Sequence, residues 1–359
     1  MKKDTLKLKP PSSFNYFIIL ASIVLTVYVL VITQSIIKPL LAAFIVAMLL
    51  KPISNKIENF KIPRAVSTVL TMLIILSIIA ILFFFLSTQV ANVTSDLDNL
   101  IGGFNDLIDK IQSWAAAQFG VAPGEQIVYL KSSLGGIIKT TGGYLHGTIS
   151  ATAGFFTSFV FFVISLFFFL YYRDFIFTFM FMLFSEDSHP QLSIILVNIE
   201  NVVRRYIWGL FLVIVVVATL NITGLLLLGI KHAFFFGAFG ALLTIIPYIG
   251  ILIGSLLPAF YALVTMDSFW YPIGVILIFS GVQFLEGNFI TPNIIGNQVS
   301  INPFAALLGL FLGAMLFGIV GIIFAIPLLA ICKVVFDSVE SLQPLAFIMG
   351  NPPNKSLSK

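Results

Sequence analysis

The sequence predicts an all-α, polytopic membrane protein with about eight hydrophobic segments. The first observation behind this is composition: of 359 residues, 59% are hydrophobic and 9% charged, against ~25% charged in soluble domains. No water-soluble fold of this size buries so much apolar surface. Secondly, several apolar windows exceed the roughly 20 residues that cross a bilayer core. Thirdly, Lys2, Lys3, Lys7 and Lys9 precede the first apolar run, while Lys51, Lys56, Lys61 and Arg64 lie between the second and third. That positive-inside pattern places the N-terminus and the loop of residues 51 to 64 on the cytoplasmic face. The net charge of +4 is thereby explained without a nucleic-acid partner.

The first helix is expected from about Phe14 to Ile37, an uncleaved span rather than a signal peptide, because the run is long and lacks a small-residue cleavage site. A tight corner at Lys38-Pro39 then leads into a short second segment ending near Leu50, and a third spans about Ala65 to Leu86. These segments make an N-terminal membrane region, residues 1 to 86.

Residues 87 to 150 have another character. Val93, Leu97, Leu100, Ile101, Phe104, Leu107, Ile108, Ile111 and Trp114 recur at three-and-four spacing, with Asp96, Asp98, Asp106, Asp109 and Lys110 on the opposite face, the signature of an amphipathic helix outside the bilayer. The turn at Pro123-Gly124 and a second stripe from Ile127 to Ile138 predict an extramembrane helical hairpin. Its apolar stripe needs a partner, either the hairpin itself or another subunit.

A membrane helix and a cytoplasmic connector follow in residues 151 to 206, with the connector from Arg173 onward. A C-terminal region, 207 to 335, comes next, then a tail, 336 to 359. Between Ala233 and Cys332 only Asp267 and Glu286 can carry negative charge, and nothing is basic. Glycines and prolines interrupt both long apolar runs, 233 to 264 and 304 to 332. In lipid such breaks survive only where they are enclosed by protein or line a wet cavity. Paired interruptions are expected of re-entrant or discontinuous helices around a midplane site; close-packing GxxxG surfaces are the alternative.

Glu286 is the main site candidate. Ionisable residues at bilayer depth tend to face cavities or to carry ions and protons; the alternative is a carboxylate at the aqueous end of its helix. Gln283 shares its face at three-residue spacing, and Asn288 and Asn293 follow in what the sequence predicts as a turn around Pro292 and Gly296. Thr244 and Tyr248 flank Pro247 in TIIPYIG, where a helix break would expose a carbonyl and two hydroxyls. Gly250, Pro258, Pro303, Gly321 and Pro327 are expected to shape the breaks. No phosphate loop, HExxH or GxSxG pattern is present, the single Cys332 excludes a cysteine cluster, and the three histidines are scattered. The chain is therefore expected to lack catalytic residues, a metal site and a cofactor.

The runs IIPYIGILIGSLLPAFYAL, Ile245 to Leu263, and FLEGNFITPNIIGNQVSINPFAALLGLFLGAMLFGIVGIIFAIPLLAI, Phe284 to Ile331, resemble the signature region of the autoinducer-2 exporter (AI-2E) transporter family. The resemblance implies a bacterial inner-membrane secondary transporter with both termini inside, assembled as a homo-oligomer, a pentamer. It implies export of a small polar solute of the autoinducer-2 kind, with its quorum-sensing role, or antiport of sodium or lithium against protons. Pro247, Tyr248, Gly250, Glu286, Asn288, Pro292, Gly296, Pro303, Gly321 and Pro327 carry it. One departure is Tyr206-Ile-Trp-Gly209 followed by Leu210, where many relatives have glutamine after the glycine. A different class of function, a non-transporting membrane scaffold, would use the outer hairpin to bind partners.

If residues 233 to 264 make one net crossing the tail lies inside, and if they form a hairpin it comes out; the lysines of the tail, Lys333, Lys355 and Lys359, favour the inside. A reporter fused after Lys359 is expected to read the cytoplasmic side; an outward reading would mean an odd number of crossings.

Overall fold

The computed structural model describes residues 13–95, 97–119, 148–245, 249–295 and 301–351. Among them the protein is helical, without strands. Six helices are long and apolar enough to cross a membrane, and shorter apolar helices lie among them. Phe83, Phe84, Phe155 and Leu227 are each more than 70% exposed, a surface that water would reject and hydrocarbon accepts.

Helix α1 (Ser13–Ile32) stands largely exposed and is followed at once by α2 (Gln34–Glu58). The expected corner at Lys38-Pro39 is not there: Pro39 lies buried inside α2, and only the single turn residue Thr33 separates α2 from α1. The reason is local: the Thr33 N–H donates to the Val29 carbonyl and the Ile37 N–H to the Thr33 carbonyl, so helical bonding is already carried past Thr33 before Pro39 is reached. Helix α2 thus runs well past Leu50. Helix α3 (Arg64–Ser95) continues beyond the expected end at Leu86, and α4 (Leu97–Phe119) is the predicted amphipathic helix. The second half of that hairpin, Ile127 to Ile138, lies outside the described residues.

The stripe of α4 finds a partner within the same chain. Gly103 sits so close to α9 (Ile249–Thr265) that a Cβ there would lie 2.3 Å from the Val264 carbonyl oxygen, and Phe104 packs near Phe260 at 6.1 Å between ring centroids.

Helix α5 (Thr148–Tyr171) packs on α2 and α3 through Leu166, Leu170, Ala43, Ala47, Leu50 and Met72. The expected cytoplasmic connector is mostly helical: α6 (Arg173–Met182), a single 3₁₀ turn, then α7 (His189–Leu227). At 39 residues α7 is about 58 Å long, nearly twice a bilayer core. Its apolar periodicity continues N-terminal to residue 207, with Leu192, Ile199 and Val203 buried, so the helix outlasts the span.

Both interrupted runs fold back as antiparallel hairpins. Helix α8 (Ala233–Leu243) meets α9 where a Cβ on Gly254 would lie 3.0 Å from the Gly240 Cα. Helix α12 (Pro303–Phe317) turns at Gly318, whose φ of 62° favours glycine, into α13 (Ile319–Ser338). A Cβ on Gly321 would fall 1.9 Å from the Gly313 carbonyl oxygen. The two sequence alternatives therefore coexist: these are hairpins, and glycine contact holds them shut. Between them runs α10 (Trp270–Leu285), followed by a π-helical turn at residues 286–290 and the short α11 (Thr291–Ile294). Helix α7 contacts both hairpins, α10 and the π turn. Asn302 caps α12 by accepting from the Ala305 N–H and donates to the carbonyls of Ile348 and Gly350, fastening α14 (Gln343–Met349) beneath it.

At the end of the molecule that carries the basic loop, ion pairs join the helices. Arg173, 8% exposed, pairs with Glu58 and donates to the Ser54 hydroxyl at 3.2 Å. Arg64 pairs with Asp174 at 2.7 Å, and Lys51 with Glu200 at 2.5 Å. Removing one partner of a buried pair strands the other charge. Arg173→Met is accordingly expected to destabilise the protein by about 3 kcal/mol. Arg173→Met with Glu58→Met should recover most of that loss, as read from thermal unfolding midpoints in detergent.

Candidate functional site

The regular hydrogen bonding of α10 persists to Glu286, whose N–H donates to the carbonyls of Val282 and Gln283. One turn back on the same face, the Gln283 amide donates to Glu286 Oε2 at 2.5 Å. Beyond Glu286 the helix widens. The Thr291 N–H donates to the Glu286 carbonyl, five residues back, and the Thr291 hydroxyl donates to Glu286 Oε1 at 2.5 Å. Each carboxylate oxygen therefore has one neutral donor. Among the described residues no lysine, arginine or histidine forms a hydrogen bond or ion pair with Glu286.

Thr291 was not singled out by sequence reasoning, for a geometric reason. In an α-helix a residue five positions on is turned about 140° away, so the spacing gives no signal. The π turn brings it back onto the face of Glu286; such turns recur at functional sites.

The other candidates separate. Asn288 is exposed and donates to the Phe284 carbonyl at 2.8 Å. Asn293 and Pro292 are exposed on α11, so the expected turn from Pro292 to Gly296 does not begin until after Ile294. The extra helical length follows from the widened turn, which lets the backbone pass Glu286 without breaking. Neither asparagine reaches the carboxylate in this arrangement. Thr244 is half-buried at the end of α8, and its hydroxyl donates to the Ala241 carbonyl at 2.6 Å. Pro247, Tyr248 and Gly296 lie outside the described residues.

The helix-shaping residues sit at close contacts. A Cβ on Gly250 would lie 2.2 Å from the Leu243 carbonyl oxygen. Pro258 and Pro327 are buried inside α9 and α13, where each removes one backbone donor. Pro303 occupies the first turn of α12, where no donor is needed.

The π turn rests on α7. Ile290, Ile294 and Ile295 pack against a cluster of Val213, Val217, Ala241 and Val282, and Gly209 allows the approach, since a Cβ there would be 3.0 Å from Ile295 Cγ1. Glu286 itself is partly exposed, as are Gly287 and Phe289 on the opposite side. An apolar cavity of about 120 Å³, lined by Phe44, Met48, Phe177, Leu196 and the Lys51–Glu200 pair among others, lies further toward the N-terminal end of α7 and does not include Glu286.

A bundle of apolar helices, several long enough to cross a bilayer and others folded back at glycine contacts, defines a multi-pass membrane protein. The chain belongs to the AI-2E family transporters, whose profile matches residues 17–341. It is similar to "Putative transport protein YueF" of Bacillus subtilis (strain 168), 26% identical over 333 residues, covering 85% of this chain and 84% of the relative. It is also 26% identical over 329 residues to "Putative transport protein MT0215" of Mycobacterium tuberculosis (strain CDC 1551 / Oshkosh), covering 89% and 87%. A shorter match, 27% over 133 residues, reaches "Putative transport protein YhhT" of Escherichia coli (strain K12), covering 37% and 38%.

The fit of α7 to the π turn is tight enough to test. Gly209→Leu is expected to push α7 off Ile295 and lower the thermal midpoint by several degrees, whereas Gly209→Ala should cost little, because the Ile295 side chain needs to yield only a few tenths of an ångström.

Proposed function

We propose that this transporter is a secondary carrier of the bacterial inner membrane, working by alternating access around residues 233 to 332. Its cargo is a small polar solute of the autoinducer-2 kind, exported, or Na⁺ or Li⁺ exchanged for H⁺. The observation that carries the reading is Glu286, a carboxylate held by two neutral donors, Gln283 and Thr291, at a widened helical turn. A carboxylate inside a permanent salt bridge has a fixed counter-ion. One held by neutral groups can accept a proton or cation and give it up again, which fits the roles of intramembrane acids in transporters. Glu286 is the coupling residue in this reading and Gln283 the nearest neutral ligand. Asn288, Asn293 and Thr244 join in another conformation of the cycle, and Tyr248 is a further pathway candidate.

Orientation follows from charge and from the hairpins. Lysine bias puts the N-terminus and the loop of residues 51 to 64 inside. A hairpin that returns to its starting side removes one crossing, so two of them leave the tail inside as well. Glu286 then lies toward the cytoplasmic end of α10, level with the stretch of α7 near Gly209. Two hairpins packed on one long helix supply the elements for rocking one part against another around a fixed site. The family resemblance further supports a homo-oligomer, a pentamer, and in the solute reading a part in quorum sensing.

Purified protein in liposomes tests the reading with autoinducer-2 and with radioactive sodium. Glu286→Gln is expected to abolish proton-coupled movement and to flatten its pH dependence. Unchanged flux and pH dependence in Glu286→Gln would remove the coupling role, and the absence of flux across a broad solute panel would favour the scaffold.

A further inference from the structure

The two donors on Glu286 are not equivalent. Gln283 and Glu286 both belong to the regular part of α10, so the bond to Oε2 is set by ordinary three-residue spacing and outlives any change farther along. The bond to Oε1 spans five residues and exists because residues 286–290 are π-helical. Were that turn to tighten to α geometry, Thr291 would swing to about 140° from Glu286 and its hydroxyl would leave the carboxylate.

The surroundings permit such a change. One side of the turn is fixed by Ile290, Ile294 and Ile295 against α7. The other is open: a Cβ built on Gly287 meets no atom within 4 Å, and Phe289 is 53% exposed. The backbone bond that defines the turn, from the Thr291 N–H to the Glu286 carbonyl, belongs to the same residue pair as the side-chain bond. Tightening the backbone to α spacing therefore opens the side-chain bond as well.

We infer that Thr291 is a positioning residue for Glu286: it occupies Oε1 while the turn is π-helical, and tightening of the turn to α geometry frees that single oxygen for cargo. Gln283 keeps Oε2 throughout, so the carboxylate stays aimed while half of it is exchanged. The inference rests on the reading of Glu286 as the coupling residue, but its structural core is independent of what is carried.

The test uses the full chain in liposomes. A hydrophobic carbodiimide adds to a carboxyl group and remains as an N-acylurea, which peptide mass spectrometry locates and times at Glu286 without knowledge of the cargo. Thr291→Val, and the smaller Thr291→Ala as a second variant, are expected to label roughly tenfold faster than the parent, as loss of a hydrogen bond to a charged group implies. Thr291→Ser keeps the hydroxyl and should return to the parent rate. Deletion of Gly287 shortens the spacing to four, so the threonine stays on the face of Glu286 in plain α geometry. It should label slowly and, in the cation reading, move no radioactive sodium.

Parent-like labelling of folded Thr291→Val and Thr291→Ala, or fast labelling of Thr291→Ser, overturns the positioning role. Normal sodium flux in the deletion overturns the switch. Faster labelling of the valine variant in a protein that carries neither sodium nor autoinducer-2 leaves Thr291 in its role and removes the transport reading instead. Loss of flux in Glu286→Gln with unaltered labelling in both Thr291 variants does the reverse.

Discussion

Hydrocarbon offers no partner to a backbone amide or carbonyl, and this constraint organises the C-terminal half of the protein. Each place where a helix stops or widens there needs protein or a wet cavity beside it, because each unsatisfied group costs several kcal/mol in lipid. The break between α8 and α9 is closed by Gly240 against Gly254 and by Gly250 against the Leu243 carbonyl; the turn at Gly318 is backed by Gly313 against Gly321. These contacts are short because glycine has no side chain to hold the helices apart.

The long helix α7 converts those separate closures into one assembly. Its buried stripe meets α8 and α10 in two apolar clusters, Leu225 with Phe236 and Phe279, and Val213 with Ala241 and Val282, and it also supports the π turn through Ile290 and Ile294. Toward its N-terminal end it is tied to α2 by Lys51–Glu200, with the Lys51 ammonium 4.5 Å from the centroid of the Phe177 ring. One rigid element therefore spans from an ionic cluster beside the basic loop to the immediate neighbourhood of Glu286. Beside that ionic cluster, α2 and α5 pack through Ala43, Ala47, Leu50, Leu166 and Leu170.

Glu286 is held by donors from its own stretch of chain. Among the described residues the carboxylate is held by one amide and one hydroxyl, both supplied within eight residues of the same chain segment. Local supply has a consequence: the arrangement can change through a local rearrangement of the helix, without repacking the bundle. The glycine hairpins lack that freedom, since their contacts are backbone to backbone.

Much of this was legible in the sequence. Composition and the length of the apolar runs set the all-α membrane class, and lysine placement set the expected orientation. The spacing from Val93 to Trp114 marked α4, and the Gly/Pro interruptions marked the segments that fold back. Gln283 and Glu286 could be paired because three-residue spacing has one meaning on an α-helix. What the sequence could not decide lay wherever geometry departs from that period or depends on distant residues. The proline at position 39 reads as a corner yet lies buried within a helix, whose hydrogen bonding is already established through Thr33 and Ile37. The acceptor for the α4 stripe, Val264 and Phe260, lies more than 150 residues away in the chain. Thr291 joins Glu286 through a π turn whose fifth residue an α-helical reading places on the wrong face. Periodicity reports which face a residue occupies when the helix is regular; where the helix widens, stops or meets a partner from far along the chain, tertiary packing alone decides.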